Sequence, residues 1–322
     1  MIEDQTNEKR EPTFEDYVTQ YLRIAQLARK ETYQKHQPET EMLFEFVDNW
    51  PDFIKFFKEN NLEIGNSLSG IILLNSWRLT NWITIDILSG KYFEAIRNLR
   101  FVFEGSVYAV LVEDIIETAV FEKWKKISTL DLKAEIFELW EECRRKWVCH
   151  KGIVDTEKVN RIVRGYVTAR IDASKKDRME EYIGIYSEIL SDARLYLSTA
   201  RMLQPCAGSL KLDDSDVVQL RMLWRELSRY QHFSYPYLKA VVDDPELVLV
   251  EELNDDLLKQ SLSFYFGTLD FFYAVLAWRF QYLRKQIKEM CDWWSTNFHR
   301  TFDKTGKALA SLPRPDTQKS DD

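Results

Sequence analysis

Glycine and proline are scarce in this chain, with 10 and 8 copies in 322 residues, less than half their usual combined share of about 12%. Both residues break helices and mark turns, so their scarcity predicts long helices joined by few loops. Cysteine is scarce too. Cys143, Cys149, Cys206 and Cys291 are too few and too scattered for a disulfide scaffold. No CxxC occurs, and Cys143 with Cys149–His150 lacks the second spaced pair that a structural zinc site requires, so neither metal nor cofactor is expected.

Long uncharged apolar runs are missing as well. The nearest, at 261–283, contains Asp270 and Arg279, which reads as a buried core helix and not a membrane span. The first residues, MIEDQTNEKREPTFEDY, have no apolar segment of the kind a signal peptide carries. A reducing cytoplasm is therefore the expected compartment, with no membrane partner. Phosphate-loop, dinucleotide-binding, zinc-protease and nucleophile-elbow motifs are all absent. Nothing alternates with period two for long enough to predict a sheet.

The residues present make a foldable composition, 45% hydrophobic and 30% charged, with ten Trp suited to thick helix–helix packing. The expected class is all-α: a multi-helix bundle with long apolar central helices at 66–90, 91–118, 214–232 and 257–285. One α-helical domain is expected over 13–302, between a disordered N-terminus at 1–12 and a disordered tail at 303–322. Further helices are expected from Thr13 or Glu15 to about 36, at Pro51, and over 119–127, 130–149, 155–172, 176–203 and 245–250, the last also open to a strand-like reading. A continuous helix is expected over 255–300.

Charge is unevenly spread. The 143–178 stretch carries eleven Lys or Arg against four acids, +7 inside a chain of net −8. It reads as a basic helical insertion or lid, with Arg161 and Arg164 as candidate anion-binding residues. The bland reading is a solvated helical pair whose charges meet the acidic rest of the molecule.

Two ionic stripes stand out. On a helical wheel Arg97, Arg100 and Glu104 fall in one narrow stripe beside Ile96, Phe103 and Val107. Arg100 and Glu104 are four apart, and a charge that loses water needs a partner, so these groups are expected to be paired or to line a wetted cavity. In 214–238, Arg221, Arg225, Ser228 and His232 run along one edge of a helix. Asp214 or Ser215 is the expected cap, and Pro236 limits the far end. His232 there would sit near a helix C-terminus, where the dipole favours its protonated form.

The segments SGKYFEAIRNLRFVFEGSV and LWRELSRYQHFS resemble a group of helical proteins from bacteria and archaea with Leu-Arg-x-x-x-Glu and Leu-Ser-x-x-x-His-x-Ser patterns. On that resemblance Arg100 and Glu104 take the first pattern, and Ser228, His232 and Ser234 the second. Arg225 with His232 is similar to the Arg-x(4–6)-His motif of HEPN domains, helical bundles that often act as metal-independent ribonucleases or RNA-binding modules in defence systems. Glu226 stands where that motif usually has a small polar residue. The resemblance implies an HEPN-like RNA-binding or RNA-cleaving protein. His232 would be the general acid or base, Arg225 and Arg221 the anion stabilisers, and Ser228 part of the catalytic group. The alternative is a non-catalytic helical binding or scaffold protein whose ionic stripes are structural. A small-molecule pocket lined by Arg100, Glu104 and His232 is a third reading. RNA, a second copy of the chain and another protein are the partners left open.

Overall fold

Residues 13–48, 67–117, 130–170, 178–231 and 254–311 are described by the computed structural model. Among them are twelve α-helices: α1 (Phe14–Lys35), α2 (Gln37–Asp48), α3 (Leu68–Leu88), α4 (Tyr92–Val112), α5 (Leu130–Arg145), α6 (Thr156–Arg170), α7 (Met179–Leu190), α8 (Thr199–Ser209), α9 (Asp214–Gln231), α10 (Asp255–Arg279), α11 (Arg284–Phe298) and α12 (Asp303–Ser311). The fold is an all-α bundle.

Local chemistry sets the helix ends. Thr13 and Asp16 cap α1 reciprocally, Asp16 N donating to Thr13 Oγ1 at 3.3 Å and Thr13 N to Asp16 Oδ2 at 2.7 Å. Ser67 caps α3 by accepting from Gly70 N at 3.1 Å. Gly90, at φ 80°, then turns the chain into α4 through a conformation that a Cβ would strain. At α9 the cap is Asp213, one residue before the expected position. Its carboxylate accepts from Ser215 N at 2.9 Å and Asp216 N at 3.1 Å.

Helix α4 is the axis of the bundle. Antiparallel α3 covers one side, α10 the core side, and α8 and α9 a third. Ile96, Leu99, Phe103 and Val107 are fully buried, and each such side chain contributes about 1.5–3 kcal/mol on leaving water. Phe103 meets Phe271 of α10 with ring centroids 5.1 Å apart. Near the α4 end, Arg279 binds Glu113 at 2.7 Å and donates to Ser69 and Ser67, which secures α10 across the start of α3. Gly105 matters for close packing: a Cβ there would lie 2.3 Å from Ser76 Oγ.

Several expectations are corrected. The tail expected to be disordered from 303 instead forms α12 over Asp303–Ser311, because buried Asp270 of α10 accepts from Lys304 N at 3.1 Å and Thr305 N at 2.9 Å and so caps it. Lys304 Nζ, 3.4 Å from the same carboxylate, supplies its counter-charge. Burial nonetheless pushes the Asp270 carboxyl above its ordinary range, against the donors from Thr305 and Lys304. Lys307 binds Asp213 at 2.7 Å and Asp216 at 2.8 Å, tying α12 to the start of α9 and holding Asp213 well below the usual carboxylate range.

The single helix expected over 255–300 is two. Phe280 leaves helical geometry at φ −116°, ψ 85° and buries its ring, and a 3₁₀ turn over Gln281–Leu283 restarts the chain as α11. The helix expected over 176–203 is likewise interrupted by a 3₁₀ turn, Ala193–Tyr196, where the Asp192 carboxylate accepts from Arg194 N at 2.9 Å. A two-stranded hairpin, Cys149–His150 against Ile153–Val154, appears where no strand was expected. Lys151 and Gly152 at φ 52° and 84° give its tight turn the handedness that two-residue hairpins need. The segments predicted as helices at Pro51, 119–127 and 245–250 lie outside the described residues. No helix among the described residues is long and apolar enough to cross a membrane.

Candidate functional site at the α4, α8 and α9 junction

Helices α4 and α9 pack antiparallel: Phe93 meets Tyr230 (6.0 Å between ring centroids), while Arg100, two turns further along α4, lies over Trp224, 5.9 Å from its centroid. The two helices therefore meet through Arg100, Glu104 and Trp224, and no hydrogen bond or ion pair joins Arg100 or Glu104 to Arg221, Arg225 or Ser228 of the second stripe. Glu104 sits at the centre of this contact, and its Oε1 accepts from Arg100 Nε at 2.9 Å, Trp224 Nε1 at 3.3 Å and Thr199 Oγ1 of α8 at 3.4 Å. One carboxylate oxygen thus joins three helices. Arg100 and Glu104 keep only 16% and 19% of their side-chain exposure, so neither charge is freely solvated, and each answers the other as the spacing predicted. Arg100 Nη1 is buried and has no hydrogen-bond partner.

Arg97 departs from the expected trio. It is exposed, and no hydrogen bond joins it to Arg100 or Glu104. The covering surface of α9 reaches Arg100 and Glu104 but leaves the neighbouring sector of α4 open to water. Arg225 is also exposed, and no carboxylate among the described residues pairs with Arg97 or Arg225. Arg221 is half-buried and donates to Gln204 Oε1 of α8 at 3.4 Å. Arg201 is exposed one turn before Gln204. The acids nearby are exposed Glu94 on α4, Glu226, which is bound to Arg229 at 2.8 Å, and exposed Asp214, which accepts from Gln204 Nε2 at 3.4 Å. The junction thus presents a cationic surface around one buried ion pair.

Ser228 is half-buried and its hydroxyl donates to Trp224 O at 2.7 Å, inside its own helix. That leaves its Oγ only its lone pairs for any further group. His232 and Ser234 lie outside the described residues; Gln231 is the last described residue of α9.

The basic segment at 143–178 is different from its sequence expectation. Arg144, Arg145 and Lys146 bind Glu141 and Glu142; Arg164 grips Glu180 through two hydrogen bonds of 2.7 and 2.9 Å; Arg170 binds Glu138; Arg178 binds Glu181. Of its described cations only Lys151, Lys158 and Arg161 have no carboxylate partner. Six of the eleven charges are therefore answered by neighbouring acids, and Val159, Val163 and Val167 of α6 join the buried core. The segment is built into the bundle and does not lie over it as a lid. Buried Cys143 and the edge residues Cys149 and His150 do not form a ligand set, and no cluster of three metal-binding side chains occurs among the described residues.

Sequence reasoning missed Trp224, Thr199 and Gln204 as site residues. Trp224 carried the one usable signal: a buried indole N–H seeks an acceptor. Nothing in the sequence connects Thr199 to Glu104. Compared with known proteins, the chain matches no family model, no curated protein and no solved structure.

Proposed function

We propose that this is an HEPN-like RNA-binding protein whose RNA lies on the α4–α9 face. The supporting observation is the set of unpaired arginines, Arg97 and Arg225, exposed on adjacent antiparallel helices beside Arg100, Arg221 and Arg201. An arginine without a carboxylate partner is free to take a phosphate in a bidentate grip. Glu104, which accepts from Trp224 Nε1 of α9 at 3.3 Å, ties together the two helices that carry these arginines. Arg161 on α6 also has no carboxylate partner, whereas Arg164 is held by Glu180.

The cleavage reading places its chemistry at the end of α9. His232 would take the proton from a ribose 2′-OH as its oxygen attacks the adjacent phosphorus, and the P–O5′ bond would break with that proton, returned by the imidazolium, passing to the departing 5′ oxygen. Arg225 and Arg221 would stabilise the charge that develops on the phosphoryl oxygens. The scaffold reading draws support from a separate observation: the ionic groups at 143–178 and at Glu104 are largely occupied with one another.

The test is fluorescence anisotropy with a labelled single-stranded RNA at low and at moderate salt. Binding is expected to weaken steeply with salt, as released counterions require. Replacing Arg97 and Arg225 together by Glu should abolish it, while the same change at Arg164 should not. Absence of binding by the wild type at low salt refutes the reading. Cleavage is tested on the same RNA: an intact pool after incubation with wild type, while binding persists, leaves a binding protein without catalysis.

A further inference from the structure

Helix α3 carries an apolar row that its own bundle does not cover. Ile71, Leu74, Trp82 and Ile85 are 39%, 43%, 56% and 44% exposed, although they alternate with fully buried Leu73, Ile83 and Ile87. Scattered exposed apolar residues are ordinary, but four on one stripe of a single helix, interrupted by Arg78, are not. The row spans about 21 Å at the rise of an α-helix.

Its order is symmetric. Arg78, exposed, sits at the middle, with Leu74 four residues before and Trp82 four after, and Ile71 seven before and Ile85 seven after. Asn75 and Asn81 are equally placed about the same centre. A helix laid antiparallel on an identical helix, with the two-fold axis at residue 78, matches Ile71 with Ile85 and Leu74 with Trp82, twice over. Self-complementarity about one point is what a two-fold dimer interface requires.

We propose that this row is the contact between two copies of the chain, α3 packed antiparallel on α3 of the partner with Arg78 on the axis. This does not depend on the RNA reading. Area supports it. Phe101, 49% exposed on the outer side of α4, stands level with Trp82, because Asn98 binds Asp86 and Gly105 abuts Ser76 along the same hairpin. The five apolar side chains expose roughly 500 Å² per copy, which across a two-fold axis reaches the ~1,000 Å² at which interfaces become specific. The two Arg78 side chains lay their stems along the seam and turn their heads to water. Their mutual repulsion weakens the dimer, and salt, by screening it, strengthens association. Most interfaces held by ion pairs respond to salt in the opposite direction.

Sedimentation equilibrium of the full chain, from micromolar to several hundred micromolar, is the measurement. A monomer–dimer equilibrium is expected, tighter at high salt. Trp82→Lys should weaken it at least about tenfold, as loss of a central aromatic anchor does, with unchanged circular dichroism. Arg78→Leu should tighten it. Arg78→Cys should cross-link to its own copy under mild oxidation, since only a residue on the axis meets itself; wild type, which keeps partly exposed Cys149 and Cys291 and should stay uncross-linked, is the control. A monomer at every concentration overturns the proposal and assigns the row to a different protein. A dimer that survives Trp82→Lys and does not cross-link at position 78 overturns it equally, because association then uses another face.

Discussion

Replacing Glu104 with Ala tests the centre of the junction. The carboxylate accepts from Arg100, Trp224 and Thr199 at once, and its removal strands a guanidinium that keeps little of its exposure. Breaking a fully buried ion pair costs about 3–5 kcal/mol. Residual exposure at both groups lets water reach them and places the loss near the lower bound. The orphaned Trp224 and Thr199 donors are long bonds and contribute about 1 kcal/mol between them. The expected total loss is about 4 kcal/mol, which for a chain of this size lowers Tm by roughly 6 °C. Glu104→Gln keeps an acceptor oxygen for Trp224 but loses the charge, so its cost is expected to be less than half. The assay is chemical denaturation followed by circular dichroism, with Arg100→Leu as partner in a double-mutant cycle. Removing both charges should cost less than the sum of the single losses, because no group is left stranded. An Ala variant that melts with the wild type, or two losses that simply add, would refute the pairing as the source of stability.

Asp270 should give a pH signature. Its folded pKa is raised above the unfolded value by burial, so its contribution is fully present below the unfolded pKa and is lost as pH rises through the folded one. Relative to Asp270→Asn, wild type should therefore lose stability as pH rises from about 4 towards neutrality; a pH-independent difference in urea melts contradicts this. Gly105→Ala should be close to neutral if the Ser76 hydroxyl rotates away, and in a Ser76→Ala background it should stabilise α4 by about 0.5–1 kcal/mol. Gly105→Val should cost about 2 kcal/mol, since its branches also meet Ser76 Cβ and Ile72, and thermal melts rank the three. Trp224→Phe should lose about 0.5 kcal/mol through the indole N–H while leaving the packing over Arg100, and a variant as stable as wild type would show that the bond to Glu104 carries nothing.

Much of the bundle was readable because the signals were local. Gly90 marked the α3–α4 turn, and the four-residue spacing of Arg100 and Glu104 announced their pair. The wheel also grouped Arg97 with them, wrongly, because angular position says nothing of where a covering helix ends. Helix α12 was unreadable for a different reason. Nine residues are too few to be helical alone, and their cap is a carboxylate on α10. The 143–178 window missed Glu138, Glu141, Glu142, Glu180 and Glu181, which lie just outside it and neutralise most of what it counted.

The α3–α4 hairpin also has a kinetic meaning. Its helices are joined by three residues, Ser89, Gly90 and Lys91, so little chain entropy opposes their meeting, whereas α4 must wait for α10, which begins only after 142 intervening residues, 113–254. The hairpin is thus placed to form before its cover arrives. Damage at the Gly90 turn should appear in stopped-flow experiments as slower refolding with little change in unfolding, and damage at the Asp270 cap as the reverse.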